Sequence, residues 1–184
     1  LPGIIFFESV MLKYYATLFR FMSKMNKFLE IYNLLYKSYS SQYWCPCSTK
    51  EKKFEMIIGA ILTQNTSWKN VTVAIKNLKN ENLINIDKIL RVDEKKLAKL
   101  IKPSGYYNQK AERLKLVAKF FKENKVITRE KLLKVKGIGP ETADSILLYA
   151  YKKPYFVIDA YTKRIFKRLG LTNTDKYQEL QELF

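Results

Sequence analysis

Apolar residues recur at the helical period along almost the whole chain, and this restricts the fold more than any other feature. Phe54, Ile57, Ile58, Ile61 and Leu62 follow the i, i+3, i+4, i+7, i+8 rule, and Val71, Ile75 and Leu78 follow it again, so each run predicts a helix with one buried face. Leu97, Leu100 and Ile101 predict a short helix closed by Pro103-Ser104-Gly105, and Ala111, Leu114, Val117, Ala118 and Phe121 a longer one. With Thr128 as N-cap, a further short helix reaches Val135 and is broken at Gly137. The next runs from about Pro140 to Tyr151, with Ala143, Ile146, Leu147 and Ala150 on one face and a proline where a missing N–H costs nothing. Tyr155-Phe156-Val157-Ile158 is a short apolar segment ending at Asp159, after which Ile165, Phe166 and Leu169 mark another helix. Tyr177, Leu180, Leu183 and Phe184 recur at the same spacing with no Gly, Asn or Pro stop signal, so the chain is expected to be truncated at its C-terminus. Six glycines and five prolines in 184 residues leave little room for the dense turns of a sandwich or barrel. The expected class is all-α.

The chain has no histidine, which excludes Ser-His-Asp hydrolysis, His-ligated zinc and imidazole acid–base chemistry. Its formal net charge of +17 favours a polyanionic partner, nucleic acid before others, although lysine enrichment from A/T-rich coding would produce a similar balance. Cys45 and Cys47, one residue apart, argue against a disulfide framework, cannot complete a four-cysteine metal site, and fit a reducing cytoplasm. No metal site is expected. Residues 1–21 are apolar but interrupted by Glu8, Lys13 and Arg20, too broken to span a bilayer and without a cleavage signal. Residues 1–22 are read as a non-native or upstream extension before a start at Met22 or Met25, or else as a surface-lying helix.

The most specific local feature is Leu132-Leu133-Lys134-Val135-Lys136-Gly137-Ile138-Gly139-Pro140-Glu141-Thr142-Ala143, a helix end, a Gly-x-Gly turn and a new helix start. Two glycines let the backbone approach a ligand closely, and the N–H groups opening the second helix point outward with the positive end of its dipole. Such a turn binds anions; Lys136 adds a full charge, and Ile138 plugs the turn into the core.

This helix-hairpin-helix, followed by Tyr155-Phe-Val-Ile-Asp159-Ala-Tyr-Thr-Lys-Arg164, resembles the helix-hairpin-helix glycosylases of the endonuclease III superfamily, in which an aspartate lies about twenty residues beyond the hairpin. Leu62-Thr63-Gln64-Asn65-Thr66 and Lys102-Pro103-Ser104-Gly105-Tyr106-Tyr107-Asn108-Gln109-Lys110-Ala111 are similar to further family motifs, so the likeness covers about residues 26–184. Tyr43-Trp44-Cys45-Pro46 and Trp68 bring it nearest to the endonuclease III-like 3-methyladenine DNA glycosylases. The resemblance implies a two-lobed fold with a DNA-binding cleft. A helical barrel lobe over about 53–158 would contain the hairpin (about 129–151), and 23–52 with 159–184 would form the second lobe.

It further implies excision of alkylated purines, above all 3-methyladenine, from damaged double-stranded DNA by a monomer without cofactor, in a prokaryotic cytoplasm. Asp159 would be catalytic, able to stabilise an oxocarbenium-like state or to activate water. Trp44, Trp68 and Tyr43 would line the base pocket, where stacking holds a flipped, electron-poor base. Gln64 and Asn65 would wedge into the gap, and Lys136, Gly137, Gly139, Thr142 and Lys163 would meet the phosphates.

Two departures from the family pattern matter. Where bifunctional members carry a nucleophilic lysine this chain has Glu141, which cannot form a Schiff base and points to a monofunctional enzyme. The cysteines of the family's iron-sulfur cluster do not match Cys45 and Cys47, so a cluster would need cysteines from a C-terminus beyond this sequence. The alternatives are an endonuclease III-type glycosylase and lyase on oxidised pyrimidines, with an amine such as that of Lys136 as nucleophile, and a non-catalytic DNA-binding module.

Overall fold

The structure, a computed structural model, describes residues 27–40 and 50–183, and the chain divides into two compact units, 1–44 and 45–184. In the first unit, residues 27–39 form α1, with Leu29, Tyr32, Leu35, Tyr36 and Tyr39 exposed and the rings of Tyr32 and Tyr36 stacked 5.9 Å apart.

The second unit is built from helices α2 (Lys52–Leu62), α3 (Trp68–Asn80), α4 (Ile86–Arg91), α5 (Glu94–Leu100), α6 (Tyr107–Glu123), α7 (Arg129–Leu133), α8 (Pro140–Ser145), α9 (Ala160–Arg168) and α10 (Tyr177–Gln181). A 3-10 turn over Lys102–Ser104 joins α5 to α6, and a π-helical segment over Ile146–Ala150 continues α8. No strand occurs among the described residues, and none of their helices is long and apolar enough to cross a membrane.

Side chains at the expected periodic positions make one core. Ile58, Ile61 and Leu62 of α2 meet Val71, Leu78, Leu97, Ile101, Leu114, Val117, Ile146 and Leu147, all essentially inaccessible to water. Burying each such side chain contributes about 1.5–3 kcal/mol, which is why the stripe sets how the helices face. Polar starts fix the ends: Asn85 accepts from Lys88 N (3.2 Å), Asp93 from Lys96 N (2.9 Å) and Thr128 from Lys131 N (3.4 Å).

Three elements differ from the sequence expectation. Helix α4 carries one buried residue, Ile89, and a six-residue helix with a single anchor leaves no period to read. The helix expected from Pro140 to Tyr151 widens at Ile146 into N–H bonds reaching five residues back, while Ile146, Leu147 and Ala150 stay buried as expected. Helix α9 forms where predicted but buries nothing, and Tyr161, Ile165 and Leu169 are exposed along it.

Candidate active site

The hairpin runs from α7 to α8. Lys134 caps the end of α7, Ile138 N donates to Val135 O (3.0 Å), and the buried Ile138 side chain anchors the turn. Gly137 takes φ +89°, a conformation that strains any side chain, and a Cβ there would lie 2.6–2.8 Å from the Arg113 side chain. Gly139 is extended and precedes Pro140 at the first turn of α8, whose opening N–H groups have no partner within the helix. Lys136 is exposed and its Nζ lies 2.8 Å from Glu112 Oε1.

The loop after α2 is tied to this hairpin by Gln64. Its Nε2 donates to Gly137 O (3.0 Å) and to the Thr142 hydroxyl (3.0 Å), while Arg113 Nη1 of α6 donates to its Oε1 (2.6 Å). Three of the residues expected at the DNA, Gln64, Gly137 and Thr142, therefore form one hydrogen-bonded group, with Thr142 itself buried. Asn65, next to Gln64, is exposed with φ +53°. Trp68 opens α3 half-buried against the core, its ring edge 3.4 Å from where a Gly59 Cβ would lie. Tyr43 and Trp44, with Cys45 and Cys47, lie outside the described residues.

Asp159 caps α9. Its Oδ1 accepts from Thr162 N (2.7 Å) and from the Thr162 hydroxyl (2.8 Å), which fixes the carboxylate and leaves the lone pairs of Oδ2 for other partners. Its charge is felt across the turn. Glu141, at the start of α8, has its carboxyl held above the ordinary range, first by desolvation and then by the Asp159 carboxylate, with Lys163 opposing. The Glu141 side chain itself is exposed. Burial pushes the Tyr149 phenol up, and Asp159 adds to it. Asp159, Glu141, Lys163 and Tyr149 thus form one electrostatic neighbourhood beside the hairpin.

Two further features were not legible as site components. Asp144, fully buried in α8, accepts from Arg129 Nε (2.7 Å), Arg129 Nη2 (3.2 Å), the Tyr177 hydroxyl (2.8 Å) and Gln181 Nε2 (2.7 Å). Gln181 Nε2 also donates to Phe156 O (3.1 Å), so this hub joins the hairpin helices, α10 and the segment leading to Asp159. Burial and the Asp144 carboxylate push the Tyr177 phenol well above its ordinary range, keeping it a donor. The second feature is Lys110, a buried lysine whose Nζ donates to Leu62 O (2.8 Å) and Ser104 O (2.6 Å). Its place on the α6 stripe, four residues before Leu114 and seven before Val117, was the available signal.

Among the described residues no group of His, Cys, Asp and Glu side chains is placed to hold a metal ion. The two cysteines of the sequence cannot supply the four thiolates of an iron-sulfur cluster.

Residues 58–184 match the family model of the HhH-GPD superfamily of base excision DNA repair proteins. A Methanocaldococcus jannaschii protein named provisionally as a DNA repair glycosylase is 51% identical over 178 residues, 88% of this chain and 80% of its own length. Among solved structures, the 3-methyladenine DNA glycosylase of H. pylori bound to 1,N6-ethenoadenine superposes with a TM-score of 0.74 at 38% identity, over 89% of this chain and 79% of that one. An endonuclease III–DNA complex reaches 0.76 at 21% identity, over 86% and 75%, a likeness of fold. The chain belongs to the HhH-GPD superfamily, the endonuclease III-like DNA repair glycosylases, and its all-helical fold is theirs.

Proposed function

We propose that this protein is a monofunctional glycosylase that hydrolyses the N-glycosidic bond of alkylated purines, 3-methyladenine foremost, in duplex DNA. The observation that carries the reading is the pair of acidic side chains beside the hairpin, Asp159 and Glu141, with a carboxylate where a lyase needs an amine. The likeness to an alkylpurine glycosylase at 38% identity supports the substrate class.

In this mechanism the damaged nucleotide is flipped from the stack, at a cost of a few kcal/mol that is lower for a lesion, and Gln64 with Asn65 takes its place. Trp68 stacks on the base, the role that the family resemblance also gives to Trp44 and Tyr43. The hairpin N–H groups around Gly137 and Gly139, with Lys136 and Lys163, hold the backbone phosphates. The bond between C1′ and the base nitrogen breaks as the base leaves with the electron pair, and Asp159 stabilises the sugar cation. Water then adds to C1′ and gives its proton to the Asp159 carboxylate. A cationic base such as 3-methyladenine leaves readily, whereas neutral 1,N6-ethenoadenine depends more on the carboxylate.

The test incubates the protein with alkylated duplex and, separately, with thymine-glycol duplex, identifies freed bases by mass, and examines the strands for nicks before alkali. Release of 3-methyladenine without nicking is expected, and Asp159→Asn should lower ethenoadenine excision by about 100-fold or more. Wild-type rates in that variant overturn the role of Asp159. Nicking and borohydride trapping on thymine glycol overturn the monofunctional reading, and no released base from either duplex overturns the glycosylase reading.

A further inference from the structure

The first turn of helix α6 carries a lysine, Lys110, that has no acidic partner among the described residues. The Lys110 side chain is among the most buried of the described residues, and its ammonium is spent on two carbonyls from different parts of the chain. Leu62 O closes α2 just before Thr63-Gln64-Asn65, and Ser104 O ends the 3-10 turn just before Gly105-Tyr106. Each tethered segment then presents an exposed residue in the left-handed region, Asn65 at φ +53° and Tyr106 at φ +44°. An exposed tyrosine there is costly, and such a conformation persists only where the surroundings hold it. The Lys110 main chain takes part as well, its N–H donating to Tyr106 O (3.0 Å).

We propose that Lys110 is a positioning residue that sets the spacing of these two loops, presenting Gln64 and Asn65 on one and Tyr106 on the other as a paired probe for a distorted site in duplex DNA. The inference rests on the glycosylase reading above and adds to it a residue that touches no substrate. A methionine of similar length would fill the same apolar space but offer no donor. The two carbonyls, however, need donors, and one centre holding both couples the loops. Removing the ammonium lets each loop relax separately while the apolar core stays in place.

Titration gives a readout without mutation. Desolvation, with Arg113 one turn further along α6 adding to it, lowers the Lys110 ammonium to about 8. The facing groups from α2 and the 3-10 turn are main-chain carbonyls. Above that pH the neutral amine holds the carbonyls less firmly, so loop spacing should loosen. Global stability moves the other way: a lysine whose folded pKa is depressed makes the fold more stable as pH rises from about 8 towards its unfolded value.

The experiment measures binding to a duplex containing a tetrahydrofuran abasic site against the same undamaged duplex, for wild type, Lys110→Met and, as a control, Lys115→Met. Wild-type preference for the tetrahydrofuran duplex should fall several-fold between about pH 7.5 and about pH 9.5, with undamaged binding steady. Lys110→Met should lose preference by about tenfold at neutral pH, the scale of one charge-assisted hydrogen bond, and show no pH dependence. Lys115→Met, which frees the carbonyls of Ile89, Leu90 and Val92 instead, should keep both properties. A wild-type preference flat across this range, or one retained by Lys110→Met, overturns the role of Lys110 alone. Absence of any preference in wild type overturns it together with the glycosylase reading. If Lys110→Met does not fold, the wild-type pH profile decides.

Discussion

Helices α2 to α6 and the segment after the hairpin are attached by different physics. In the first region α2, α3, α5 and α6 share a continuous apolar core. Beyond Ile158, α9 buries nothing and α10 buries Leu180, while the Asp144 hub ties α10 to the hairpin through Arg129, Tyr177 and Gln181. Apolar packing tolerates small shifts, whereas a buried carboxylate with four donors accepts few arrangements. The part that carries Asp159 is therefore held by direction rather than by area.

The largest expected effect breaks that contrast at its centre. Asp144→Ala strips Arg129 of its buried partner and should cost about 3–5 kcal/mol in urea denaturation, with residues 159–183 the first to become susceptible to limited proteolysis. Leu114→Ala in the apolar region should cost about 2–5 kcal/mol but open no part selectively. Uniform cleavage in both variants would erase the distinction between the regions.

An intermediate effect is expected where the regions meet. Gly137→Ala places a methyl against Arg113 at a positive φ and should cost about 1–3 kcal/mol. Because Arg113 also holds Gln64, the preference for a tetrahydrofuran site should fall in the same variant. Unchanged stability would show that the turn can shift to φ below zero.

The smallest effect concerns Glu141. Its carboxyl is held above the ordinary range by desolvation and by Asp159, so its ionised form opposes folding at neutral pH, and that opposition vanishes where the group is protonated in both states. Glu141→Gln should raise the melting temperature slightly at pH about 7 and leave it unchanged at pH about 3, below the ordinary carboxylate range. A gain of equal size at both pH values would remove charge as the cause.

How much of this was visible in the sequence follows the same division. The stripes on α2, α3 and α6 were legible because each repeats one simple rule, burial, every three or four residues. The hairpin was legible because its turn needs a glycine at Gly137, where φ is positive and a Cβ would meet Arg113, and because Pro140 opens the helix that follows. Helix α4 was missed because Ile89 alone reaches the core, and the apolar positions of α9 foretold a burial that does not occur among the described residues. The Asp144 hub escaped because Arg129, Tyr177 and Gln181 share no spacing with it, and hydrogen-bond partners are chosen by the fold rather than by sequence period. Gln64 was legible as a residue of interest, yet its bonds to Gly137 O and Thr142 span more than seventy residues and are set by the fold alone.

Several of the lysines have a further consequence. Lys110, Lys115 and Lys153 place their ammoniums on main-chain carbonyls of Leu62, Ser104, Ile89, Leu90, Val92 and Ile127. An ammonium so engaged does not displace a condensed counterion from a nucleic acid. The slope of log affinity against log salt, about 0.9 per phosphate neutralised, will therefore report a smaller electrostatic footprint than the formal charge of +17 suggests.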